Sequence, residues 1–387
     1  MTQPTRVGVI GGGQLARMMI PAAINLGLTI KVLAETEGMS AELAANQVGD
    51  YHDLDAVLAF ADTVDVITFD HEHVPQPVLR ELVARGIPVH PGPDALLFAQ
   101  DKLLMRQKLT DLGLPMPEWA RIQNPEQLAE FLASHGGHAV VKTPRGGYDG
   151  HGVRVVAESH EVDDWFEAAA AQAAPGAAAE DAPALLVEEL VDFRRELAQQ
   201  VARRPSGELV SWPVVETIQR NGVCAEVIAP APPSAPRLAE VAAGIATTIA
   251  TGIGVTGVLA VELFETTDDR LLVNELAMRP HNSGHWSIDG SVTSQFEQHL
   301  RAVLDLPLGA TGCRDRWSVM VNILGGPASG ALQERYPAAM AAHPTAKFHA
   351  YGKEPRPGRK VGHITVSGDD LEEVVYRARG AAGFFQD

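Results

Sequence analysis

Short apolar runs alternate with amphipathic segments through the first quarter of the chain. The runs predict strands over residues 6–10, 29–34, 64–69 and 88–90. An amphipathic helix is predicted over Leu15–Leu26, between the first two strands. Alternating strands and helices are typical of a parallel sheet covered by helices on both faces. We therefore expect an α/β domain over residues 1–98, which ends shortly after the breaker Pro91-Gly92-Pro93.

Beyond residue 98 the pattern changes to strands that are separated mainly by loops, after one helix predicted over residues 99–112. Strands are predicted over residues 139–143, 153–157, 185–190 and 196–202. This succession favours a mostly antiparallel α+β region. We expect a domain over residues 99–305, with a flexible subdomain at about 118–192, and a small domain over 306–387.

Residues 241–261 carry no charge and are about as long as a membrane-spanning helix. However, Gly252, Gly254 and Gly257 interrupt this stretch, threonines dilute it and acidic residues flank it. A buried helix, a turn and a core strand are therefore expected there, and a membrane span is not.

The polar residues of the segment 257–276 indicate a metal site. If its acidic turn centres on Asp268 and Asp269, Glu262 and Glu275 lie directly opposite each other on antiparallel strands. Like charges in that position repel, so either a cation lies between them or the register differs by one or two residues. Carboxylates beside the amide of Asn274 suit Mg²⁺, which also keeps waters and phosphates as ligands. The pattern predicts a magnesium-nucleotide site, and a solvated hairpin edge is the alternative.

A glycine turn, Gly11-x-Gly13-x-x-Ala16, joins the first strand to the first helix, and Glu35 follows the second strand. This spacing is close to the dinucleotide-binding fingerprint and supports a nicotinamide-dependent enzyme as a rival function. The turn itself specifies only that backbone N–H groups face an anion at a helix N-terminus.

A second glycine-rich loop, Gly146–Gly152, follows Lys142 and is not a P-loop, because no Gly-Lys-Ser/Thr follows its glycines. Its glycines allow backbone amides to close over phosphates, at which Lys142 would point. The strand 184–191 ends in acids that could meet an adenosine, or it could be an ordinary strand end. After Glu275, the run Arg279–His285 is dense in donors for anions, although its histidines could be structural.

Composition narrows the possible partners. The formal charge is -18, and the sequence has no long run of Lys and Arg of the kind that binds a phosphate backbone, so we expect no nucleic-acid partner. Cys224 and Cys313 lack metal-ligand spacing, and the segment 1–6 has no signal-peptide pattern. A cytoplasmic protein is expected.

These elements, in this order, resemble the ATP-grasp superfamily and, more narrowly, its 5-(carboxyamino)imidazole ribonucleotide synthase family. The resemblance covers nearly the whole chain. The matching motifs are Gly11-Gly-Gly-Gln14-Leu15, Gly146-Gly-Tyr148-Asp149-Gly150, Asn274-Glu275-Leu-Ala, Arg279-Pro-His281-Asn282-Ser283-Gly284-His285, Ser294-Gln-Phe-Glu297 and Arg356-Pro-Gly-Arg359-Lys360-Val-Gly-His363.

The resemblance implies an ATP-grasp fold with a Rossmann-like N-terminal domain and a small C-terminal domain. It also implies an enzyme of purine biosynthesis that uses ATP and Mg²⁺. Bicarbonate would attack the γ-phosphate to give carboxyphosphate, and the carboxyl group would pass to 5-aminoimidazole ribonucleotide. A homodimer is expected only by this resemblance.

The resemblance further implies roles for individual residues. ATP would be held by Lys102, Lys142, Gly147, Tyr148, Asp149, Gly150, His151, Gly152, Val153, Glu188, Glu189, Leu190, Val191, Glu196, Gln219, Asn274 and Glu275. Magnesium would be held by Glu262 and Glu275. The ribonucleotide would be held by Gln14, Leu15, Glu72, Tyr148, Arg279, Lys353, Arg359 and Lys360. The catalytic set would be Tyr148, His281, Asn282, Ser283, His285 and Lys353, in which either histidine could place bicarbonate.

Two departures from the family pattern affect these roles. His151 stands where the family usually has arginine, which weakens an anion contact there. Phe69-Asp70-His71-Glu72 stands where members often have Tyr-Glu-Phe-Glu, so Glu72 is retained in changed surroundings.

Two alternative functions remain. One is another ATP-grasp ligase or transformylase that acts on a related ribonucleotide, and the other is a non-catalytic nucleotide-binding protein.

Overall fold

The first strands of the chain form the expected parallel sheet. The computed structural model describes residues 5–146, 152–171, 183–233 and 237–385. The strands of this sheet are β1 (Arg6–Ile10), β2 (Thr29–Ala34), β3 (Ala45–Val48) and β4 (Val66–Phe69), in the order β3-β2-β1-β4. Its helices are α1 (Gln14–Asn25), α2 (Leu54–Ala61) and α3 (Gln76–Ala84).

Burial explains which of these elements the apolar pattern could predict. β4 is buried along its whole length, and β2 has the predicted bounds. β3, with the sequence Ala-Asn-Gln-Val, lacks an apolar run and was not predicted. The strand predicted over 88–90 is reduced to a single bridge between Val89 and Ile67.

The helix predicted over residues 99–112 is wrong as a single element. The structure has α4 (Pro93–Gln100) and α5 (Lys102–Asp111), divided at Asp101. The backbone of Asp101 is extended, and its carboxylate accepts hydrogen bonds from the N–H groups of Leu103 and Leu104. An aspartate in this position caps the N-terminus of a helix, so α5 starts anew there.

A small antiparallel sheet follows, in the strand order β5-β8-β6-β7. Its elements are β5 (Trp119–Ile122), α6 (Pro125–Ser134), β6 (Ala139–Lys142), β7 (Val153–Val156), α7 (Asp163–Ala171) and β8 (Leu185–Glu189). A core that includes Phe131, Val141 and Val187 packs α6 against this sheet. The sheet thereby fixes Lys142, the last residue of β6, and Glu188 near the end of β8.

A large antiparallel sheet comes next, in the order β14-β13-β9-β11-β12-β15-β17-β16, with β10 beside β9. Its first elements are β9 (Phe193–Arg203), β10 (Leu209–Ser211), β11 (Val215–Arg220), β12 (Val223–Ala229), α8 (Leu238–Ile253), β13 (Gly257–Thr266), β14 (Leu271–Ala277), α9 (Ser287–Gly290) and α10 (Gln295–Val303). The uncharged stretch is thus a buried helix, a turn and a core strand, as predicted. No helix in the described part of the chain is long and apolar enough to cross a membrane.

The end of the chain extends the same sheet. Its elements are β15 (Trp317–Leu324), α11 (Tyr336–Ala342), β16 (Lys347–Ala350), β17 (Lys360–Gly368) and α12 (Leu371–Gly383). β15 pairs with β12, and α12 packs on β15 and β17. Because of this pairing, the basic segment 353–360 lies at one end of the sheet that also carries Glu262.

Candidate active site

A cavity of 1210 Å³ lies where the parallel sheet, the small sheet and the large sheet meet. Most of the predicted site residues line it: Gln14, Leu15, Glu72, Lys102, Lys142, Val153, Glu188, Glu189, Leu190, Val191, Glu196, Gln219, Glu262, Asn274, Glu275, Arg279, His281, Asn282, Lys353, Arg359 and Lys360. Of the predicted residues that the structure describes, Gly152, Ser283 and His285 are not part of the lining. Gly147, Tyr148, Asp149, Gly150 and His151 lie outside the described residues.

Glu262 on β13 faces Glu275 on β14, as the hairpin pattern predicts, but for a different reason. Thr266 N–H bonds Arg270 C=O, so the loop has three residues and ends at Asp269 with φ 64°. Three-residue loops with a left-handed residue are common in hairpins, and this one would pair Glu262 with Asn274. A β-bulge at Asn274 shifts the register by one residue and restores the pairing of the glutamates.

The two carboxylates form an electrostatically unfavourable pair. Partial burial, followed by the charges of Glu275 and Glu196, raises the pKa of Glu262 to about 8. Lys102 Nζ lies 3.8 Å from the Glu275 carboxylate and offsets part of the repulsion. Among the described residues, no three His, Cys, Asp or Glu side chains cluster as metal ligands. Two carboxylates suit Mg²⁺, which takes its remaining ligands from phosphates and water.

A buried arginine that the sequence analysis missed holds this part of the site together. The Nε of Arg106, on α5, donates to Glu188 Oε1 at 2.5 Å. Its terminal nitrogens donate to the carbonyls of Val273 and Asn274, at 3.1 and 2.7 Å, on the two sides of the bulge. No motif in the sequence marks Arg106, because its partners lie 82 to 168 residues away.

Glu188 is 2% exposed and is held by two cations. Lys142 Nζ lies 2.6 Å from Glu188 Oε2 and also donates to the side-chain oxygen of Asn274 at 3.3 Å. Burial acts to raise the pKa of Glu188, but Arg106 and Lys142 outweigh it and hold the pKa below its ordinary value. The carboxylate therefore orients Lys142, and its oxygens are already engaged.

His281 reaches the lining between the two glutamates and the basic end of the cavity. Its Nε2 lies 3.5 Å from Glu262 Oε1. Burial, followed by the charges of Arg279 and Lys360, lowers the pKa of His281 to about 3, so the imidazole is neutral. Neighbouring Asn282 pairs its amide with that of Asn322, which in turn donates to the carbonyl of Cys224.

Ser283 and His285, which were predicted together with His281 and Asn282 to place bicarbonate, do not line the cavity. Ser283 Oγ bonds the Nδ1 of His281 at 2.8 Å, which puts the hydroxyl behind the imidazole. His285 is 0% exposed, and its Nδ1 bonds the Gln295 amide. Both residues lie behind the cavity wall because the short helix Asn282–Gly284 turns the chain away from it.

The other end of the cavity is basic. Lys353 Nζ donates to the side-chain oxygen of Gln14 at 2.7 Å, and Arg359 and Lys360 line the same end. Glu72 accepts from the backbone of Met278 and from Arg279 Nε, at 3.0 and 2.9 Å. Glu72 and Arg279 thus form an ion pair within the cavity lining.

The first glycine turn is occupied by carboxylates of the chain itself. Gly12 N–H donates to Glu35 at 2.9 Å, and Ala16 N–H donates to Asp70 at 2.7 Å. A Cβ at position 13 would lie 2.0 Å from an Asp70 oxygen, so the close approach requires Gly13. These bonds use the amides that a dinucleotide pyrophosphate would need, which argues against the nicotinamide alternative.

Aromatic residues of the lining were also missed. Phe193 and Phe264 stack with ring centroids 4.8 Å apart on the cavity wall. Alternation along β13 could have identified one of them, because Phe264 is two residues from Glu262 and shares its face. An apolar stacked pair beside carboxylates and lysines suits a nucleotide base.

Comparisons with known proteins agree with this geometry. The ATP-grasp domain model matches residues 107–296, the ribonucleotide synthetase preATP-grasp domain model matches 4–100, and the phosphoribosylaminoimidazole carboxylase C-terminal domain model matches 318–377. The N5-carboxyaminoimidazole ribonucleotide synthase of Mycobacterium tuberculosis is 50% identical over 97% of this chain and 86% of its own length. The chain belongs to the N5-carboxyaminoimidazole ribonucleotide synthase family.

Solved structures of this family have the same ATP-grasp fold. The enzyme from Thermus thermophilus is 35% identical, with a TM-score of 0.85 over 98% of this chain and 99% of its own. The Aspergillus clavatus enzyme, in complex with ADP and 5-aminoimidazole ribonucleotide, is 31% identical, with a TM-score of 0.85 over 99% of both chains. The predicted combination of an N-terminal parallel sheet, an ATP-grasp region and a C-terminal domain is thereby confirmed.

Proposed function

We propose that this protein carboxylates 5-aminoimidazole ribonucleotide with bicarbonate and ATP, forming N5-carboxyaminoimidazole ribonucleotide, ADP and phosphate for purine biosynthesis. The observation that carries the proposal is one cavity lined both by the paired carboxylates with Lys102 and Lys142 and by the basic residues Lys353, Arg359 and Lys360. Membership of the family supports the identity of the substrates.

ATP binds at the end of the cavity formed by β6, β8, β13 and β14. Lys102 and Lys142 neutralise phosphate charge, and the stacked pair of Phe193 and Phe264 provides an apolar surface for the base. Glu262 and Glu275 would hold Mg²⁺, which would neutralise and orient the phosphates. The segment 147–151 completes the ATP site by resemblance.

Bicarbonate lies near His281 and Asn282, between the two ends. Its oxygen attacks the γ-phosphorus, ADP leaves, and carboxyphosphate remains. Such a transfer depends on positioning and charge neutralisation more than on covalent catalysis. Because the imidazole of His281 is neutral, it contributes a hydrogen-bond donor, and the positive charge comes from the lysines.

The ribonucleotide binds at the basic end. Lys353, Arg359 and Lys360 hold its 5′-phosphate through charge-assisted hydrogen bonds. Gln14 and Leu15, at the start of α1, and the pair of Glu72 and Arg279 line the path from this end to His281. The exocyclic amine attacks the carbonyl carbon of carboxyphosphate, inorganic phosphate leaves, and the amine loses a proton.

The chain organisation is also proposed. We infer domains over 1–98, 99–305 and 306–387, with a subdomain at about 118–192, which the extents of the parallel and small sheets support.

We also propose a cytoplasmic homodimer, on the basis of the family resemblance. Cys224 and Cys313 are both free thiols, which fits a reducing compartment. Light scattering after gel filtration tests the oligomeric state.

The test of function is ADP release with Mg-ATP, with the ribonucleotide and ¹³C-bicarbonate added separately and together. ADP release that requires the ribonucleotide and transfers ¹³C to it supports the reaction. Release without bicarbonate dependence favours another ATP-grasp ligase or transformylase. Tight ATP binding without turnover favours a non-catalytic protein.

A further inference from the structure

The motif Ser294-Gln-Phe-Glu297 has no role in the proposed chemistry, yet the side chain of Gln295 contacts His281, one of the candidate bicarbonate residues, from the side away from the cavity. Gln295 is 0% exposed and is the first residue of α10. Its backbone is fixed as well, because its N–H donates to Ser287 Oγ at 2.9 Å. A buried amide must find partners for both its oxygen and its nitrogen.

Gln295 finds those partners on the peptide of His281. The N–H of His281 donates to Gln295 Oε1, and Gln295 Nε2 donates to the carbonyl of His281, both at 2.8 Å. The same oxygen accepts from Gln200 Nε2 at 2.9 Å, and the same nitrogen donates to His285 Nδ1 at 2.8 Å. All hydrogen-bonding positions of the amide are thus used, and the backbone of His281 is held on both sides.

These bonds also determine which ring nitrogens carry hydrogen. The N–H of His281 can only donate, so Oε1 faces it and the NH₂ group of Gln295 faces His285 Nδ1. The Nδ1 of His285 must therefore accept. The N–H of Ser283 can only donate, and it lies 3.4 Å from His281 Nδ1, beside the Ser283 hydroxyl at 2.8 Å. This contact makes Nδ1 the acceptor and assigns the ring hydrogen to Nε2, on the side of Glu262.

We propose that Gln295 is a positioning residue for carboxylation: it holds the His281 peptide so that the Nε2–H of His281 points into the cavity as a donor to bicarbonate. The inference rests on the proposed function. Gln295 does not line the cavity, so its effect passes through His281. Loss of the Gln295 amide should therefore impair the use of bicarbonate more than the binding of ATP.

The chain offers a matched control on the same helix. Gln298 is also 0% exposed, and its amide holds the peptide of Gly309 in the same manner, with bonds of 2.7 and 2.8 Å. Gly309 is not part of the cavity lining. Glu at either position keeps the acceptor and replaces the donor, so Gln295→Glu loses the bonds donated to His281 and His285, and Gln298→Glu loses the bond donated to Gly309.

The experiment compares Gln295→Glu and Gln298→Glu with the wild type, varying each substrate in turn. In Gln295→Glu we expect kcat/KM for bicarbonate to fall about tenfold or more, with the KM for ATP within about twofold. In Gln298→Glu all three KM values should stay near wild type, although the loss of a buried hydrogen bond lowers its Tm. Equal changes in all KM values, or the same pattern in both variants, would overturn the inference. A wild type that makes no carboxylated product overturns the proposed function as well.

A measurement on the unmodified protein covers the case in which Gln295→Glu does not fold. Long-range ¹H–¹⁵N spectra of histidine-labelled wild type report the tautomer of each imidazole. We expect Nε2–H in both His281 and His285. An Nδ1–H tautomer in either ring would contradict the geometry, whatever the activity.

Discussion

Lys353 Nζ donates a hydrogen bond of 2.7 Å to the side-chain oxygen of Gln14, which lies 339 residues earlier in the chain. A second residue of α1 also bonds the C-terminal part of the chain. Arg17, one turn further along α1, donates to the carbonyls of Ala350 and Ser40 at 3.1 and 2.9 Å. The first helix and the loop before β17 therefore form one wall of the cavity, and the proposed phosphate clamp depends on both ends of the chain.

Replacing Lys353 with Met should weaken ribonucleotide binding selectively. The ammonium would lie against the 5′-phosphate, and losing a charge-assisted bond costs about 1.5–3 kcal/mol, or roughly ten- to a hundredfold in KM. The KM for ATP should change less than about twofold, because ATP binds at the other end. Steady-state kinetics with each substrate varied tests this. Lys347→Met, an exposed lysine on β16, is the control, and equal increases in both KM values would contradict the clamp.

Replacing Glu275 with Gln should raise the Mg²⁺ concentration needed for half-maximal activity by about tenfold or more, because one ligand charge is lost. The fold should survive, since the side chain is 48% exposed. A magnesium titration of ADP release measures the effect. Asp268→Asn removes the same charge from the turn of this hairpin and should leave the titration unchanged. Wild-type turnover of Glu275→Gln at low magnesium would disprove the metal assignment.

The hairpin shows how far local pattern carries a prediction. The pairing of Glu262 with Glu275 is confirmed, but the loop of residues 267–269 centres on Asp268 and not between Asp268 and Asp269, so the pairing depends on the bulge at Asn274. Arg106 holds the carbonyls beside that bulge from a different element. No local pattern encodes a contact of this kind. The pairing of Glu262 with Glu275 could therefore be predicted from the sequence, but the bulge that produces it could not.

The same limit applies to the histidines. Their density after Glu275 correctly indicated that a donor reaches the cavity, and His281 does so. The sequence could not separate His281 from His285, because the turn of the chain at residues 282–284 decides which imidazole faces the cavity. In contrast, α1, β2 and the buried helix and strand of residues 241–261 were predictable, since each depends on local apolar periodicity.

Glu188 should make the stability of the protein depend on acid. Its pKa is lower in the folded chain than the ordinary 4.5, so the ionised group stabilises the fold above the unfolded pKa. That stabilisation is lost as pH falls through the folded pKa. Glu188→Gln leaves the buried Arg106 without its counter-charge and should cost about 3 kcal/mol at pH 7.

Urea unfolding of wild type and Glu188→Gln at several pH values between about 7 and 3 measures this linkage. The difference in free energy of unfolding should shrink as the pH is lowered. Glu130→Gln, an exposed glutamate on α6, should show little difference at any pH. A difference for Glu188→Gln that stays constant down to the lowest pH would show that the charge of Glu188 does not stabilise the fold.

His281 should not titrate while the enzyme works, because burial lowers its pKa to about 3. A histidine of ordinary pKa near 6.5 would impose an acid limb on kcat, whereas His281 stays a neutral donor between about pH 6 and 9. His281→Gln keeps an N–H donor and should lower kcat about tenfold or more without changing the shape of the pH profile. His160→Gln, whose side chain is 69% exposed, should leave both unchanged. A wild-type limb near pH 6.5 that vanishes in His281→Gln would mean that the imidazole acts as a base or as a cation, and the neutral Nε2–H form assigned to His281 from its contact with Ser283 would then be wrong.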